Sequence, residues 1–366
     1  MLTNVYLFQF KRFKDELIEF FPLTLLTGIN GMGKSSVIES LLALRQSYDR
    51  GDLQNNNKLV IEDKLVNLIS PDDMLCSVAD SFKVKIGLTD HPAGQGEWAV
   101  EATGSINTLP LTFKSEAGNI YHSNLFDTSF QYLRAERIGP RAVYNRLSVA
   151  VSHSPIGCSG EFVANRLLES VTKNETVELD RLILPNIGKT VYDQLSAWIS
   201  EILYPGTKVY FDDSDETKIK LEYSFREEQT KRFNPVNIGF GFSFALPVIL
   251  AALTAKKGSL LIVENPEAHL HPKGQSRMGR FLALAAQSGL QIIIETHSDH
   301  LLNGIRVAVK QKELDYHKTQ IHFFTNIPPM QGGGKISFAI EEDGGLEKWP
   351  PDFFDEWDNM LDRLIE

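Results

Sequence analysis

Apolar and polar residues alternate from Val5 to Phe10, the period of a half-buried strand. Leu23 to Thr27 is a short apolar run entered through Pro22 and reads as a buried strand. From Ser35 to Gln46 the period lengthens, with Val37, Ile38, Leu41, Leu42 and Leu44 at helical spacing. Residues 49–75 are polar and irregular, with Asn55, Asn56 and Asn57 expected in an exposed loop. Phe82–Leu88, Glu97–Ala102 and Leu109–Lys114 alternate like antiparallel strands. Ser159–Ser170 and Lys189–Leu203 read as helices joined by a polar stretch, and strands at Lys208–Asp212 and Ile219–Phe225 follow.

The last third alternates strand and helix. A helix is expected over Ser243–Ala255, a buried strand at Leu260–Val263, and a helix from Pro272 to just before Gly289. Gln291–Glu295 is a second buried strand, and Ser298 or Asp299 can cap the next helix. Gln320–Thr325 and Lys335–Glu341 suggest a hairpin. Asp352–Ile365 suggests a terminal helix with Phe353, Phe354, Trp357, Leu361 and Leu364 on one face. The fold class expected is α/β: a mostly parallel central sheet, an antiparallel β subdomain and a short helical insertion. The segments are an N-terminal lobe over 1–145, the insertion or arm over 146–205, and a C-terminal lobe over 206–366.

Composition narrows the class. The 366 residues are 42% hydrophobic and 23% charged, which excludes a disordered, collagen-like or coiled-coil-dominated chain. The formal charge of −10 argues against a general polyanion binder, so any DNA or RNA contact is local or made with a partner. Two cysteines, Cys76 and Cys158, cannot build a disulfide framework and fit a reducing cytoplasm. No segment reaches the roughly 18 apolar residues of a membrane span. The N-terminus lacks the pattern of a signal peptide, so a cytoplasmic protein with no membrane contact is expected.

The strongest chemical signal is Gly28-Ile29-Asn30-Gly31-Met32-Gly33-Lys34-Ser35, the phosphate-binding pattern G-x-x-x-x-G-K-[ST] between an apolar strand and an amphipathic helix. Glycines let successive N–H groups point at phosphate oxygens, and the helix N-terminus adds partial positive charge. Lys34 is placed to neutralise the β- and γ-phosphates and Ser35 to ligate Mg²⁺, with Asn30, Gly31, Met32, Gly33 and Ser36 completing the cradle. No N-K-x-D guanine-reading motif is present, which points to ATP. The run Leu260-Leu261-Ile262-Val263-Glu264 supplies a strand ending in a carboxylate that can hold Mg²⁺ through water. A third strand ends in Glu295-Thr296-His297-Ser298, where His297 can sense the γ-phosphate.

These motifs, with Glu264-Asn265-Pro266-Glu267-Ala268-His269-Leu270-His271-Pro272, resemble the ABC-type ATPase heads of the SMC, recombination-repair and OLD-like group. The likeness extends to compact stand-alone members of prokaryotic anti-phage operons, such as the ATPase subunit of Septu-like systems. It covers residues 1–45, about 131–170 and 236–303, and the ending Trp349-Pro350, Phe353-Phe354 and Trp357. The resemblance implies a P-loop NTPase head in which two heads sandwich two ATP molecules. A Gly-rich signature of one head then meets the nucleotide on the other. The candidate signature is Gly239-Phe240-Gly241-Phe242-Ser243, which departs from the usual Leu-Ser-Gly-Gly-Gln. The resemblance also implies Gln131 as an Mg²⁺ contact and Arg137, in the basic cluster Arg134, Arg137, Arg141 and Arg146, as a phosphate contact.

Many relatives carry Asp-Glu where this chain has Glu264-Asn265. Asn265 cannot take a proton but can orient a water, which leaves Glu267 or His297 as base and implies slow or partner-dependent hydrolysis. The function expected is an ATP-binding and hydrolysing switch that forms a homodimer or higher oligomer of heads and controls a nuclease or other effector in anti-phage defence. A DNA-repair ATPase is one alternative. A metal-dependent hydrolase using His269, His271, His297 and His300 with Glu264, Glu267 and Asp299 is another. Gly332-Gly333-Gly334-Lys335 lacks phosphate-loop spacing and reads as a hairpin loop.

Overall fold

A computed structural model describes residues 1–104, 107–147, 155–225, 231–326 and 334–365. Its elements begin with β1 (Leu2–Phe10), β2 (Phe13–Glu19), β3 (Leu23–Gly28), α1 (Lys34–Asp49), α2 (Asp52–Asn55), β4 (Lys58–Val60), β5 (Lys83–Asp90), β6 (Gly94–Glu101) and β7 (Thr108–Gly118). Next come β8 (Gln131–Leu133), β9 (Tyr144–Asn145), α3 (Val163–Thr172), α4 (Val191–Ile202), β10 (Lys208–Asp212), β11 (Lys218–Ser224), α5 (Phe240–Leu253) and β12 (Leu260–Glu264). The chain continues through α6 (Pro272–Gln287), β13 (Gln291–Glu295), α7 (Asp299–Lys310), β14 (Thr319–Phe324), β15 (Lys335–Phe338) and α8 (Glu356–Ile365).

These elements form two compact units. The first comprises Met1–Asp127, Gln320–Ala339 and Leu346–Glu366, and the second Thr128–Thr319 with Ile340–Gly345. The first unit holds an antiparallel sheet in the order β2-β1-β5-β6-β7-β4. β2 had no signature in the sequence because only Phe13 and Ile18 are buried in it. It is a charged edge strand, a common way of blunting an exposed sheet edge. β3 is buried from Leu23 to Thr27 and lies beside β14, which pairs with β15 in the expected hairpin. Of the Gly332–Lys335 run, Gly332 and Gly333 lie outside the described residues.

The terminal helix starts at Glu356, not Asp352. Asp352 and Phe354 adopt left-handed backbone, with φ 64 and 55, which a helix does not accept. Phe353 instead leaves the helix pattern and is buried edge-on against the Phe323 and Phe338 rings. Trp357 and Leu364 are exposed, so the apolar face expected as one surface is divided.

In the second unit β8, β12 and β13 run parallel, with β12 between the other two. α5 is buried along Ser243–Leu253, as expected of a helix apolar all round. Among the described residues no helix is long and apolar enough to cross a membrane. α3 and α4, the helices expected to form an inserted arm, pack against α5 within this unit, and α4 also against α6.

α6 and α7 cross with backbones in close approach. A Cβ added to Gly304 would lie 1.9 Å from the Ser276 carbonyl oxygen, and one added to Gly279 would lie 2.1 Å from that of Leu301. Backbone cannot yield as a flexible side chain does, so Gly304→Ala is expected to lower stability by about 1–3 kcal/mol. Thermal denaturation should show Tm falling by several degrees, and an unchanged Tm would contradict the close crossing.

Candidate functional site

In the first unit β3 turns into α1 through three glycines held at positive φ: Gly28 at 126, Gly31 at 76 and Gly33 at 116. Gly28 passes so close to Phe324 that an added Cβ would sit 2.1 Å from its carbonyl oxygen, while a Cβ on Gly33 would strike the Phe13 ring at 2.7 Å. Gly31 faces open space. Gly33 is the N-cap of α1 and makes no side-chain capping bond. The first-turn N–H groups of a 16-residue helix are therefore gathered under an exposed loop of Ile29, Asn30 and Gly31. The Lys34 Nζ is buried there and donates to the Gly28 and Ile29 carbonyls, each at 2.9 Å. Ser35 is exposed, and Met32 and Ser36 are half-buried.

In the second unit a turn follows β12. Glu264 pairs with Glu295 at the carboxyl ends of the parallel strands. Its Oε1 accepts from the Tyr132 hydroxyl at 2.8 Å and its Oε2 from the Ala135 N–H at 3.0 Å. Burial and the Glu264 charge raise the Tyr132 pKa, keeping the phenol a neutral donor. Buried Arg137 donates to the Glu264 carbonyl at 2.9 Å and to the Asn265 carbonyl, and lies 5.6 Å over the Phe244 ring. Desolvation lowers its pKa to about 10, so it stays charged at neutral pH.

Beyond it, Asn265 sits at φ 44 with its Oδ1 buried and unbonded. Glu267 is 8% exposed. Its Oε1 accepts from the Thr296 hydroxyl at 2.8 Å and from the His297 N–H at 3.2 Å, whereas its Oε2 is buried with no partner. Burial pushes the Glu267 pKa up. Glu264, Asn265 and Glu267 thus lie at the end of β12 and in the turn after it, and His297, which follows β13, is tied to that turn through its N–H.

Gln131, the expected Mg²⁺ contact, stands earlier on its strand. It pairs with Leu261, three residues or about 10 Å along the strand before Glu264. Its amide nitrogen donates to the Tyr132 and Gly157 carbonyls, and its Oε1 accepts from the Ile156 N–H. Tyr132, its neighbour, reaches Glu264 instead. Arg137 is likewise engaged with backbone carbonyls of the turn.

The candidate signature enters α5 earlier than expected. Gly239 is the N-cap and α5 begins at Phe240, which puts Gly241 and buried Ser243 in the first turn. A Cβ on Gly241 would lie 2.9 Å from the His269 carbonyl oxygen, so the glycine permits close packing of helix on turn. The histidines expected for a metal hydrolase have separate structural roles. His269 packs on Phe240 and Phe244, and the His271 Nδ1 caps α6 by accepting from the Lys273 N–H. Among the described residues no group of three or more His, Cys, Asp and Glu converges to hold a metal.

Residues 167–303 match a family described as "AAA domain, putative AbiEii toxin, Type IV TA system", and residues 314–364 match a family of unknown function, DUF3696. No curated protein matches the chain. An SMC head bound to the C-winged helix domain of ScpA is 13% identical, with a TM-score of 0.55 over 93% of this chain and 98% of that one. An SMC head from Pyrococcus furiosus with an extended coiled coil, bound to the C-terminal domain of ScpA, is 10% identical, with a TM-score of 0.54 over 100% and 99%. The fold is that of an SMC-type head.

The head's donors fit a magnesium nucleotide. Backbone N–H groups at a helix start and a lysine suit phosphate, and the Ser35 hydroxyl beside them is a hard oxygen donor of the kind Mg²⁺ takes. The unbonded buried oxygens of Asn265 and Glu267 have room in their chemistry for a water. Two features of the head gave no local signal. Tyr132 and Thr296 bond to Glu264 and Glu267 from elements distant in sequence. The turn between β1 and β2 presses Phe13 on Gly33, pairs Lys11 with Glu39 of α1, and buries the Arg12 Nε without a hydrogen-bond partner.

Proposed function

We propose that this head binds ATP with Mg²⁺ and hydrolyses it slowly, acting as a switch. The observation that carries the reading is the phosphate loop: three glycines at positive φ ahead of a side-chain-uncapped α1 with Lys34 buried at its start. Asn30, Gly31, Met32, Gly33 and Ser36 wrap the phosphates, Lys34 neutralises them, and Ser35 and Glu264 are the residues that would hold Mg²⁺, Glu264 through water. The ion draws charge from the leaving phosphate when bound. Glu267 accepts the proton of the attacking water that Asn265 orients, and His297, held through its own N–H, responds to the γ-phosphate.

The switch works between two heads, with Gly239, Gly241 and the first turn of α5 meeting the nucleotide of the other. Similarity to SMC heads captured with ScpA domains supports a protein partner for this head as well. Likeness to a family whose description names a toxin of a toxin–antitoxin system supports a defence role, in which ATP-dependent head pairing controls a separate effector such as a nuclease. α3 and α4, packed on α5, are the elements through which pairing reaches that effector.

Magnesium-dependent phosphate release from ATP by the purified chain, compared with Lys34→Ala, tests the reading. Turnover that is present and lost in the variant supports it. An unmodified chain that does not turn ATP over refutes it.

A further inference from the structure

The first turn of α5 and the turn after β12 are locked together by an aromatic sandwich. The His269 ring lies 5.4 Å from the Phe240 ring and 4.4 Å from the Phe244 ring, the latter edge-on. Phe244 in turn carries the Arg137 guanidinium, whose other contacts are the Glu264 and Asn265 carbonyls. His269 stands at φ 61, a conformation that needs outside support, and its carbonyl is the group that Gly241 approaches. The turn is further tied by Ala268 N–H to Asn265 and Leu270 N–H to Glu267, both at 3.0 Å. One wall of this sandwich, Phe240, is 53% exposed, although it flanks Gly239 and Gly241 at the start of the helix.

We infer that Phe240 and His269 are positioning residues: their ring contact holds the Asn265–Leu270 backbone, and through it the Glu267 carboxylate, in the geometry required for water attack. Neither side chain touches the reacting atoms. Any change at the start of α5 that shifts Phe240 is passed to the turn through the His269 ring. This rests on the ATPase reading for its kinetic consequence and on packing alone for its structural one, so the two are tested separately.

Phe240→Ala is the first variant, since an exposed position at the start of a helix accepts alanine without loss of fold. Hydrogen exchange in the protein alone should show the 265–270 amides exchanging faster than in the unmodified chain. Phe240→Tyr should restore the slow rate. His269→Asn, which tolerates the left-handed backbone but removes the ring, should reproduce the fast one. In ATP turnover kcat should fall on the order of 10- to 100-fold for Phe240→Ala with KM held, since small misplacements of catalytic groups cost that much. Unchanged exchange at 265–270 in both ring-removing variants overturns the inference whatever the turnover. A raised KM with kcat held also overturns it, because Phe240 would then contact nucleotide instead of positioning the turn. An unmodified chain without turnover refutes the ATPase reading, and the exchange result still decides the packing.

Discussion

Replacing Lys34 by alanine should reduce ATP turnover by about 10²-fold or more, the scale of losing one preorganised charge at a phosphoryl-transfer site. The cation is 3% exposed, at the start of a 16-residue helix whose N-cap gives no side-chain bond. Burial strengthens its attraction for phosphate, because less water screens it. Two smaller effects accompany the loss. The Gly28 and Ile29 carbonyls give up a donor, which costs about 1–3 kcal/mol each if they are left unbonded. The loop also relaxes around the missing side chain. Both act on stability, whereas the missing charge acts on nucleotide affinity and rate. Titration with a fluorescent ATP analogue beside a thermal melt separates them: binding should vanish while the cooperative melt persists, shifted down. Turnover within threefold of the unmodified chain would remove Lys34 from the mechanism.

The phosphate loop was legible because its chemistry is local. Its glycines, lysine and serine stand within eight consecutive residues, and the three glycines take positive φ there. The buried strands were legible for a similar reason, since β12 and β13 are uniformly apolar and end in carboxylates. β2 was not, because a charged edge strand buries too little to show a period. The acid turn was legible only in outline. Glu264, Asn265, Glu267 and His297 stand where the strand ends put them. Their partners come from far along the chain, Tyr132 by 132 residues and Thr296 by 29, and no periodicity carries such pairings. Gln131 and Tyr132 are adjacent on one strand and face opposite sides of it, and Tyr132 is the one that bonds to Glu264, a distinction no sequence pattern carries. α5 begins at Phe240, earlier than the apolar run suggests, because the small size of Gly241 serves a helix packed on His269.

Glu267→Gln should separate ATP binding from hydrolysis. Glutamine keeps the shape, and its Oε1 still accepts from Thr296 and His297, so the turn retains its fold. It cannot take a proton, and loss of a general base costs about 10²- to 10⁴-fold in rate. ATP affinity should hold, and the variant should stay in its nucleotide-bound state longer. The pH dependence is a second signature. Burial raises the Glu267 pKa above the ordinary carboxylate range, so the folded chain binds this proton more tightly than the unfolded chain. The stability linked to this group is therefore complete below the ordinary carboxylate pKa and is lost as pH rises through the raised, folded value. Turnover runs the other way. It grows across that same window, because only the ionised carboxylate accepts a proton from water. The unmodified chain should gain activity and lose stability together as pH climbs, while Glu267→Gln should show neither trend from this position. Rates and melts taken across mildly acid to neutral pH on both proteins read the two signs directly. Turnover that survives in Glu267→Gln with its pH profile intact would assign the proton to another group, with His297, bonded to Glu267 through its N–H, the next candidate.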